Sequence, residues 1–248
     1  MSKLEGKVAI VTGSSRGIGA DTAKILAAEG AAVVVNYRDK APRANKVVKA
    51  IEEAGGRAVA VKADLTVAED REALVKAAVE NFGHLDILVL NASGGMEQNM
   101  GADYALRLNR DAQVGMLNAA RELMGAGGRV VFVTSHQAHF IRTTPTMDAY
   151  VPVAESKRAG EDALREMIPS LAEQGIEFVV VSGDMIEGTI TATLLNRLEP
   201  GAIEARRETA GRLYNVAEFA AEVALAAVEP VPADNTRLVG DVSSFNAE

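Results

Sequence analysis

The chain has 248 residues and a formal net charge of −8, which argues against a surface for general nucleic-acid binding. It contains no cysteine, which excludes disulfides and thiolate chemistry and suits a reducing compartment. No apolar stretch reaches the roughly 20 residues that span a bilayer, and the first residues lack the long apolar core of a signal peptide. We therefore expect a single α/β domain over residues 1–248, located in the cytoplasm without a membrane anchor.

Short apolar runs rich in β-branched residues alternate with helical patterns along the chain. The runs that predict strands are Val8–Val11, Ala32–Asn36, Ala58–Val61, Ile87–Leu90, Val130–Val133, Phe178–Val181 and Arg237–Val239. The clearest helical patterns are Arg71–Asn81, Asp103–Met124, Val153–Leu171 and Ala217–Val228. This alternation predicts right-handed crossovers and a doubly wound parallel sheet of about seven strands, a Rossmann-like α/β fold.

The longest segment without a clear pattern is Gly183–Gly211, which follows the sixth predicted strand. Open parallel sheets bind ligands beyond the carboxyl ends of their strands, where this segment begins. We therefore predict that residues 183–211 form a loop that covers a substrate. The alternative is a surface insertion without contact to a ligand.

The motif TGSSRGIG at residues 12–19 places three glycines between the first predicted strand and a segment with an apolar helical face. Glycines at such a turn let the backbone approach a pyrophosphate, whose charge is stabilised by N–H groups at the helix start. An ordinary strand-to-helix turn is the alternative, because glycine adopts positive φ in the turns of any fold. The motif favours a dinucleotide site.

The spacing TGxxxGxG resembles that of the short-chain dehydrogenase/reductase family, and the resemblance extends over nearly the whole chain. It implies a nicotinamide cofactor, with Asp64 near the adenine and Asn91 in a segment of small residues against the cofactor. Thr189 or Thr191 would supply a hydroxyl near the nicotinamide carboxamide. The cofactor-binding residues expected are Gly13, Ser15, Arg16, Gly17, Ile18, Gly19, Arg38, Asp64, Leu65, Asn91, Lys157 and Thr189.

The end of the second strand favours NADP as the cofactor. An acid that binds the ribose 2′-hydroxyl of NAD is expected there, and we assign that position to Asn36, which carries no carboxylate. Arg38 follows it and Arg16 lies in the glycine turn, so two guanidinium groups could hold a 2′-phosphate. Asp39 adds a negative charge nearby, and either arginine alone could be a solvated surface residue.

The resemblance also implies the catalytic residues. Ser135, after the fifth strand, would orient a carbonyl, and Lys157 would lower the pKa of a tyrosine that supplies the proton. Asn109, in the preceding helix, would anchor a water relay. Thr134 is the alternative if Ser135 only caps the next turn.

The family's tyrosine four residues before the lysine is missing, because Val153 occupies that position. The nearest tyrosine is Tyr150, and on a continuous helix its seven-residue separation from Lys157 is a rise of about 10 Å. Pro152 favours the first turn of a helix, which would leave Tyr150 outside it and free to fold back. Two hypotheses remain open: a displaced, working tyrosine, or a lost proton donor.

Two histidines follow the serine, and either His136 or His139 could carry a proton near neutral pH. A polar loop role without chemistry is the alternative for each. No acidic cluster accompanies them, so we expect no metal site. The family's Pro-Gly after the sixth strand is also changed, and Asp184 there would either place a carboxylate near the nicotinamide or cap the loop.

These features predict an NADP-dependent oxidoreductase that reduces a ketone or oxidises a secondary alcohol, with a small carbonyl or alcohol compound as its partner. One alternative is a protein of this fold that binds the cofactor as a sensor or interaction subunit; another is redox-neutral chemistry with the same groups. The long helices Asp103–Met124 and Val153–Leu171 resemble the pair through which the family usually associates, which predicts a homodimer or homotetramer.

Overall fold

A computed structural model describes residues 3–96, 101 and 103–245. Its strands are β1 (Val8–Val11), β2 (Ala32–Tyr37), β3 (Arg57–Lys62), β4 (Leu85–Leu90), β5 (Met124–Ser135), β6 (Glu177–Gly183) and β7 (Thr236–Val239). They form one parallel sheet in the order β3-β2-β1-β4-β5-β6-β7. The predicted doubly wound, seven-stranded fold is confirmed, and the strand order reverses between β1 and β4.

Helices cover both faces of the sheet. They are α1 (Gly17–Ala28), α2 (Ala41–Glu53), α3 (Ala68–Phe82), α4 (Tyr104–Leu106), α5 (Ala112–Arg121), α6 (His136–His139), α7 (Val151–Glu166), α8 (Ile168–Glu173), α9 (Ile190–Leu198), α10 (Ala202–Ala210) and α11 (Val216–Ala226). Alternate strand side chains point to opposite faces. Leu26 and Phe219 pack on one face, and Leu74 and Leu117 on the other. Among the described residues, no helix is long and apolar enough to cross a membrane.

Two predicted helices differ from the observed ones. The region Asp103–Met124 contains α4, a π-helical turn at Arg107–Asp111 and α5, and Met124 already belongs to β5. The region Val153–Leu171 divides into α7 and α8, because a proline in the first turn of α8 cannot continue the helix before it. Neither break is visible in the apolar periodicity.

The prediction that residues 183–211 are irregular is wrong, since they contain α9 and α10. Thr189 starts α9, and its Oγ1 accepts the N–H of Ala192 at 3.1 Å. Gly201 starts α10 with φ +91°. Residues 184–195 nevertheless contribute to the wall of the cavity described next.

Candidate active site

A cavity of about 680 Å³ opens at the carboxyl ends of the strands. It extends from the glycine turn, residues 13–19, past the ends of β2, β4 and β5 to residues 184–195. Its volume lies within the range of about 300–1,000 Å³ that is usual for small-molecule sites. It also lies where the strand order reverses, the position at which open α/β sheets bind ligands.

The glycine turn is shaped for close approach of a ligand to the backbone. Gly13 and Gly17 have φ of +61° and +57°, the left-handed region that favours glycine. A Cβ on Gly19 would lie 2.5 Å from Nδ2 of Asn91, which donates to the Thr12 carbonyl at 2.9 Å. Among the described residues, no side chain caps the start of α1, so its first N–H groups are available to an anion. This cradle fits the pyrophosphate of a dinucleotide.

The assignment of Asn36 as the ribose-facing position is wrong. Asn36 is buried, its Oδ1 accepts the N–H of Gly13 at 2.9 Å, and its Nδ2 donates to the Ala63 carbonyl at 3.1 Å. These bonds tie the glycine turn to the end of β3. The side chains of Tyr37 and Arg38 come next along the cavity wall, and neither is acidic.

This end of the cavity is strongly basic, with Arg16, Arg38, Lys40 and Arg43 in its wall. Nε of Arg38 pairs with Asp39 at 2.7 Å, and Nη1 donates to the Tyr104 hydroxyl. The Arg38 bond holds the pKa of the Asp39 carboxyl below its usual range. Within the described part of the chain, Arg16 and Arg43 have no ion-pair partner, so positive charge remains for an added phosphate.

Sequence reasoning missed Lys40, Arg43 and Tyr104. The two basic residues lie at the start of α2, directly after β2, so inspection of that turn could have found them. Tyr104 reaches Arg38 from an element 66 positions away, which no local pattern predicts.

Asp64 and Leu65 lie beside the basic end, after β3. One Asp64 carboxylate oxygen accepts the N–H and the hydroxyl of Thr66, at 2.9 and 2.7 Å. Leu65 is buried and gives an apolar surface to the cavity. The pair therefore forms a turn that could border an adenine.

Ser135 and Tyr150 meet at the other end of the cavity. Ser135 ends β5, and its Oγ lies 3.2 Å from the Tyr150 hydroxyl. The same Oγ accepts the N–H of Ala138 at 3.3 Å and so caps α6. The serine therefore caps the next turn, and its Oγ also faces the Tyr150 hydroxyl in the cavity. The Thr134 hydroxyl is buried and has no hydrogen-bond partner among the described residues.

Tyr150 lies outside α7. It ends a 3₁₀ turn at Asp148–Tyr150, and Pro152 occupies the first turn of the helix, as expected from its fixed φ. Val153, four residues before Lys157, is buried against Tyr150 and also lines the cavity. The tyrosine thus reaches Ser135 from the residue just before the helix.

Burial shifts the pKa values of both titratable groups at this end. It lowers the pKa of Lys157 to about 8, against an opposing effect of Glu161. Burial raises the pKa of the Tyr150 phenol, and the hydrogen bond with Ser135 lowers that pKa by a smaller amount. Burial and the Ser135 hydroxyl account for the shift at Tyr150, and Lys157 is not among its causes. The phenol is therefore protonated at neutral pH.

Asn109 lies in the π-helical turn and holds two elements together. Its Nδ2 donates to the Gly94 carbonyl at 2.8 Å and to Ser156 Oγ at 2.9 Å. A Cβ on Gly160 would overlap the carbonyl oxygen of Asn109, so α7 packs directly on this turn. The side chain is thus fully engaged, and it fixes the segment after β4 against α7.

Neither histidine reaches the cavity. His136 is buried with Nδ1 2.8 Å from Ser182 Oγ, and burial lowers its pKa to about 4. His139 pairs with the buried carboxylate of Glu161 at 2.8 Å. The hypothesis that an imidazole supplies the proton has no support in this geometry. No group of three or more potential metal-ligating side chains occurs in the part of the chain that the structure describes.

The Asp184 side chain forms an ion pair within the protein. Its carboxylate accepts the N–H of Met185 at 2.7 Å and pairs with Arg206 of α10 at 2.8 Å. Asp184 therefore caps the chain after β6, and it also lines the cavity. Thr189 lines the cavity, and its hydroxyl donates to the Ile186 carbonyl at 2.8 Å. Thr191 is exposed in the same wall.

Comparisons with known proteins agree with this architecture. The family model described as short chain dehydrogenase matches residues 7–198. An uncharacterized oxidoreductase of Methylorubrum extorquens is 40% identical over 82% of this chain and 84% of its own length. Versicolorin reductase 1 of Dothistroma septosporum is 33% identical over 99% of this chain and 92% of its own. A crystal structure of a short chain dehydrogenase from Burkholderia cenocepacia in complex with NADP superposes with a TM-score of 0.82 and 31% identity, covering 98% of this chain and 99% of that one. Together with the glycine cradle and the Ser135–Tyr150 pair, these matches show that the chain belongs to the short-chain dehydrogenase/reductase family of oxidoreductases.

Proposed function

We propose that this protein is an NADP-dependent reductase of an uncharged, apolar ketone, able to oxidise the corresponding secondary alcohol in reverse. The observation that carries the proposal is the 3.2 Å contact between Ser135 Oγ and the Tyr150 hydroxyl, in the same cavity as the glycine cradle and Lys157. A bound NADPH supplies the hydride. The chain must then orient the carbonyl, supply a proton and exclude water.

The proton is assigned to Tyr150. Its raised pKa keeps the phenol protonated at neutral pH, which is the form that an acid needs for ketone reduction. Ser135 lies within hydrogen-bond distance of the phenol, so one carbonyl oxygen between them can accept from both hydroxyls. Such paired donors stabilise the negative charge that develops on that oxygen.

Lys157 is assigned to cofactor binding. Its ammonium has no hydrogen-bond partner among the described residues, although the side chain is 9% exposed and lines the cavity. A ribose hydroxyl would satisfy it. This assignment accounts for a buried lysine without requiring its charge to act on Tyr150.

The preference for NADP rests on the basic end of the cavity. Arg16 and Arg43 have no ion-pair partner in the described part of the chain. Arg38 uses Nε and Nη1 in hydrogen bonds, and its Nη2 has no hydrogen-bond partner among the described residues. A 2′-phosphate placed there would receive charge-assisted hydrogen bonds. The NADP complex of the Burkholderia cenocepacia relative supports this choice over NAD.

The surroundings of Tyr150 favour an apolar ketone. Met96, Val153 and Leu195 pack around the phenol and line the cavity. Asp184, a carboxylate that also lines the cavity, is already paired with Arg206. One relative is named versicolorin reductase 1, which is consistent with reduction as the direction of the reaction.

The test is NADPH oxidation with a matched panel of ketones, run in parallel with NADH. We expect turnover of uncharged cyclic or aromatic ketones, and little turnover of α-keto acids of similar size. Preference for keto acids or for NADH would overturn the corresponding part of the proposal.

A second candidate, a cofactor-binding protein without hydride transfer, is favoured by one observation: Lys157 does not lower the pKa of Tyr150. It predicts tight NADPH binding with no consumption in any member of the panel.

We also infer a homo-oligomer that associates through the outer faces of α5 and α7, in a cytoplasmic setting. The family resemblance of these helices supports the inference.

A further inference from the structure

Residues 189–211, which we call the lid, contain α9 and α10, and α9 lies at the tyrosine end of the cavity. Leu195 of α9 is buried against Tyr150 and Val153. Asn196 Oδ1 accepts the N–H of Ile203 at 3.2 Å, which joins α9 to α10. α10 is therefore packed directly against the helix that covers the phenol.

Apolar packing holds α10 only weakly. None of its residues is buried, and Ile203 and Ala210 are only partly covered where they meet Met185, Ala192 and Leu213. A helix usually gains its tertiary stability from burial of an apolar face. Another interaction must hold α10 in place.

Arg206 provides that interaction. Its Nε lies 2.9 Å from each carboxylate oxygen of Asp184, and Nη2 lies 2.9 Å from Asp241 Oδ2. Nη1 donates to Ser244 Oγ at 2.8 Å, and the guanidinium lies 5.0 Å from the centre of the Phe245 ring. The side chains of Arg206 and Asp184 are only 12% and 2% exposed. One lid residue thus contacts the chain after β6 and the chain after β7.

The adjacent residue provides a natural comparison. Arg207 pairs with Glu187, but its side chain is 46% exposed and that of Glu187 is 32% exposed. Ion pairs in water contribute about 0–1 kcal/mol, whereas loss of one partner of a buried pair leaves an uncompensated charge. Of these two neighbouring arginines, Arg206 is the one whose loss would leave a buried carboxylate, that of Asp184, without its ion-pair partner.

We propose that Arg206, held by Asp184 and Asp241, is the positioning residue that keeps the lid closed over Tyr150. Without it, the Asp184 carboxylate can regain water if α10 moves away, and α10 has little apolar burial to oppose that movement. The lid then opens and α9 withdraws from the substrate end. The kinetic part of this inference rests on the proposed ketone reduction; the structural part does not.

The structural test is limited cleavage by a glutamyl endopeptidase, because Glu199, Glu204 and Glu208 lie in the lid and no arginine variant removes these sites. We expect Arg206→Gln to be cut within the lid at least about tenfold faster than the parent, since cleavage tracks the population of the open form. Arg207→Gln, one residue away on the same helix, should be cut at the parental rate. Arg206→Lys keeps the positive charge but loses the planar guanidinium that bonds both carboxylates. Its cleavage rate should lie between those of the two glutamine variants.

The kinetic test compares KM and kcat for the best ketone of the panel. Arg206→Gln should raise the ketone KM by about tenfold with a smaller change in kcat, because the lid acts on substrate binding. Binding of adenosine 2′,5′-bisphosphate should not change, since the basic end of the cavity lies far from α10. This control separates lid opening from general unfolding.

If Arg206→Gln does not fold, Asp241→Asn, which removes the more exposed carboxylate, should accelerate lid cleavage in the same direction. Equal cleavage of Arg206→Gln and Arg207→Gln would overturn the proposal. So would equal losses of ketone and bisphosphate binding. If the parent reduces no ketone, the proposed function fails, and the cleavage comparison alone decides the role of Arg206.

Discussion

Replacement of Tyr150 by phenylalanine removes one hydroxyl from the cavity and little else. The phenol has one hydrogen-bond partner among the described residues, Ser135 Oγ at 3.2 Å. When the hydroxyl is gone, Ser135 Oγ still accepts the hydrogen bond from the N–H of Ala138. A neutral hydrogen bond contributes about 1 kcal/mol net, so the fold should survive. Loss of a general acid instead costs about 10²-fold or more, and a hundredfold is about 2.7 kcal/mol in the activation barrier.

The assay is kcat and KM for NADPH oxidation with the best ketone, together with a direct NADPH binding titration. We expect kcat to fall at least about a hundredfold while the NADPH Kd hardly changes. In the parent, the reduction rate should be level through neutral pH, because the raised pKa of Tyr150 keeps the acid form present, and should fall only on the alkaline side. His139→Gln serves as the control and should keep most of the activity, since His139 lies outside the cavity against Glu161. Full activity of Tyr150→Phe would refute this reasoning, and loss in the histidine variant instead would assign the proton to an imidazole.

Further predictions concern cofactor choice, charge burial, packing and assembly. The parent should bind NADPH at least about tenfold more tightly than NADH, or about 1.4 kcal/mol, and Arg38→Ala should reduce that ratio in parallel titrations; equal affinities in the parent would contradict it. Because the folded pKa of Lys157 is about 8, below its ordinary 10.5, the unfolded chain binds more protons between these values and burial of the charge costs stability below pH 8. Lys157→Met should therefore raise Tm at pH 7, by less at pH 10, while turnover is lost. Gly160→Ala should lower the free energy of unfolding by about 3 kcal/mol, as its Cβ overlaps a backbone carbonyl, whereas Gly125→Ala, with no atom within 4 Å, should change it little in denaturant titrations. Light scattering at micromolar concentration should give a dimer or tetramer mass, and a monomer mass would exclude association through α5 and α7.

The sheet could be predicted because most of its strands contain a short, buried run rich in β-branched residues, which is visible without its neighbours. The lid could not, because α10 buries none of its side chains and therefore carries no apolar stripe for a periodicity argument. The π-helical turn was also invisible. It is packed against Gly160 and Ser156 of α7, contacts that bring together residues about 50 positions apart and leave no local pattern.

The candidate site divides in the same way. The glycine cradle, Lys157 and Ser135 were identified from local motifs, because their chemistry requires particular residues at particular spacings. The role of Asn36 was misjudged, because its amide is used by Gly13 and Ala63, partners that only the folded sheet brings together.

The displaced tyrosine follows a different logic. A tyrosine four residues before a lysine shares one helix face with it, and the charge of the lysine then lowers the pKa of the phenol. Here Tyr150 precedes the helix, and among the described residues it is the Ser135 hydroxyl that lowers its pKa against the effect of burial. In the proposed mechanism, the two tasks that the family lysine combines are therefore separated: Lys157 binds the cofactor, and the Ser135–Tyr150 pair supplies the proton. A buried phenol whose pKa is not lowered by a cation is a weaker acid, so under this proposal the paired hydrogen bonds of Ser135 and Tyr150 must stabilise the negative charge that develops on the carbonyl oxygen.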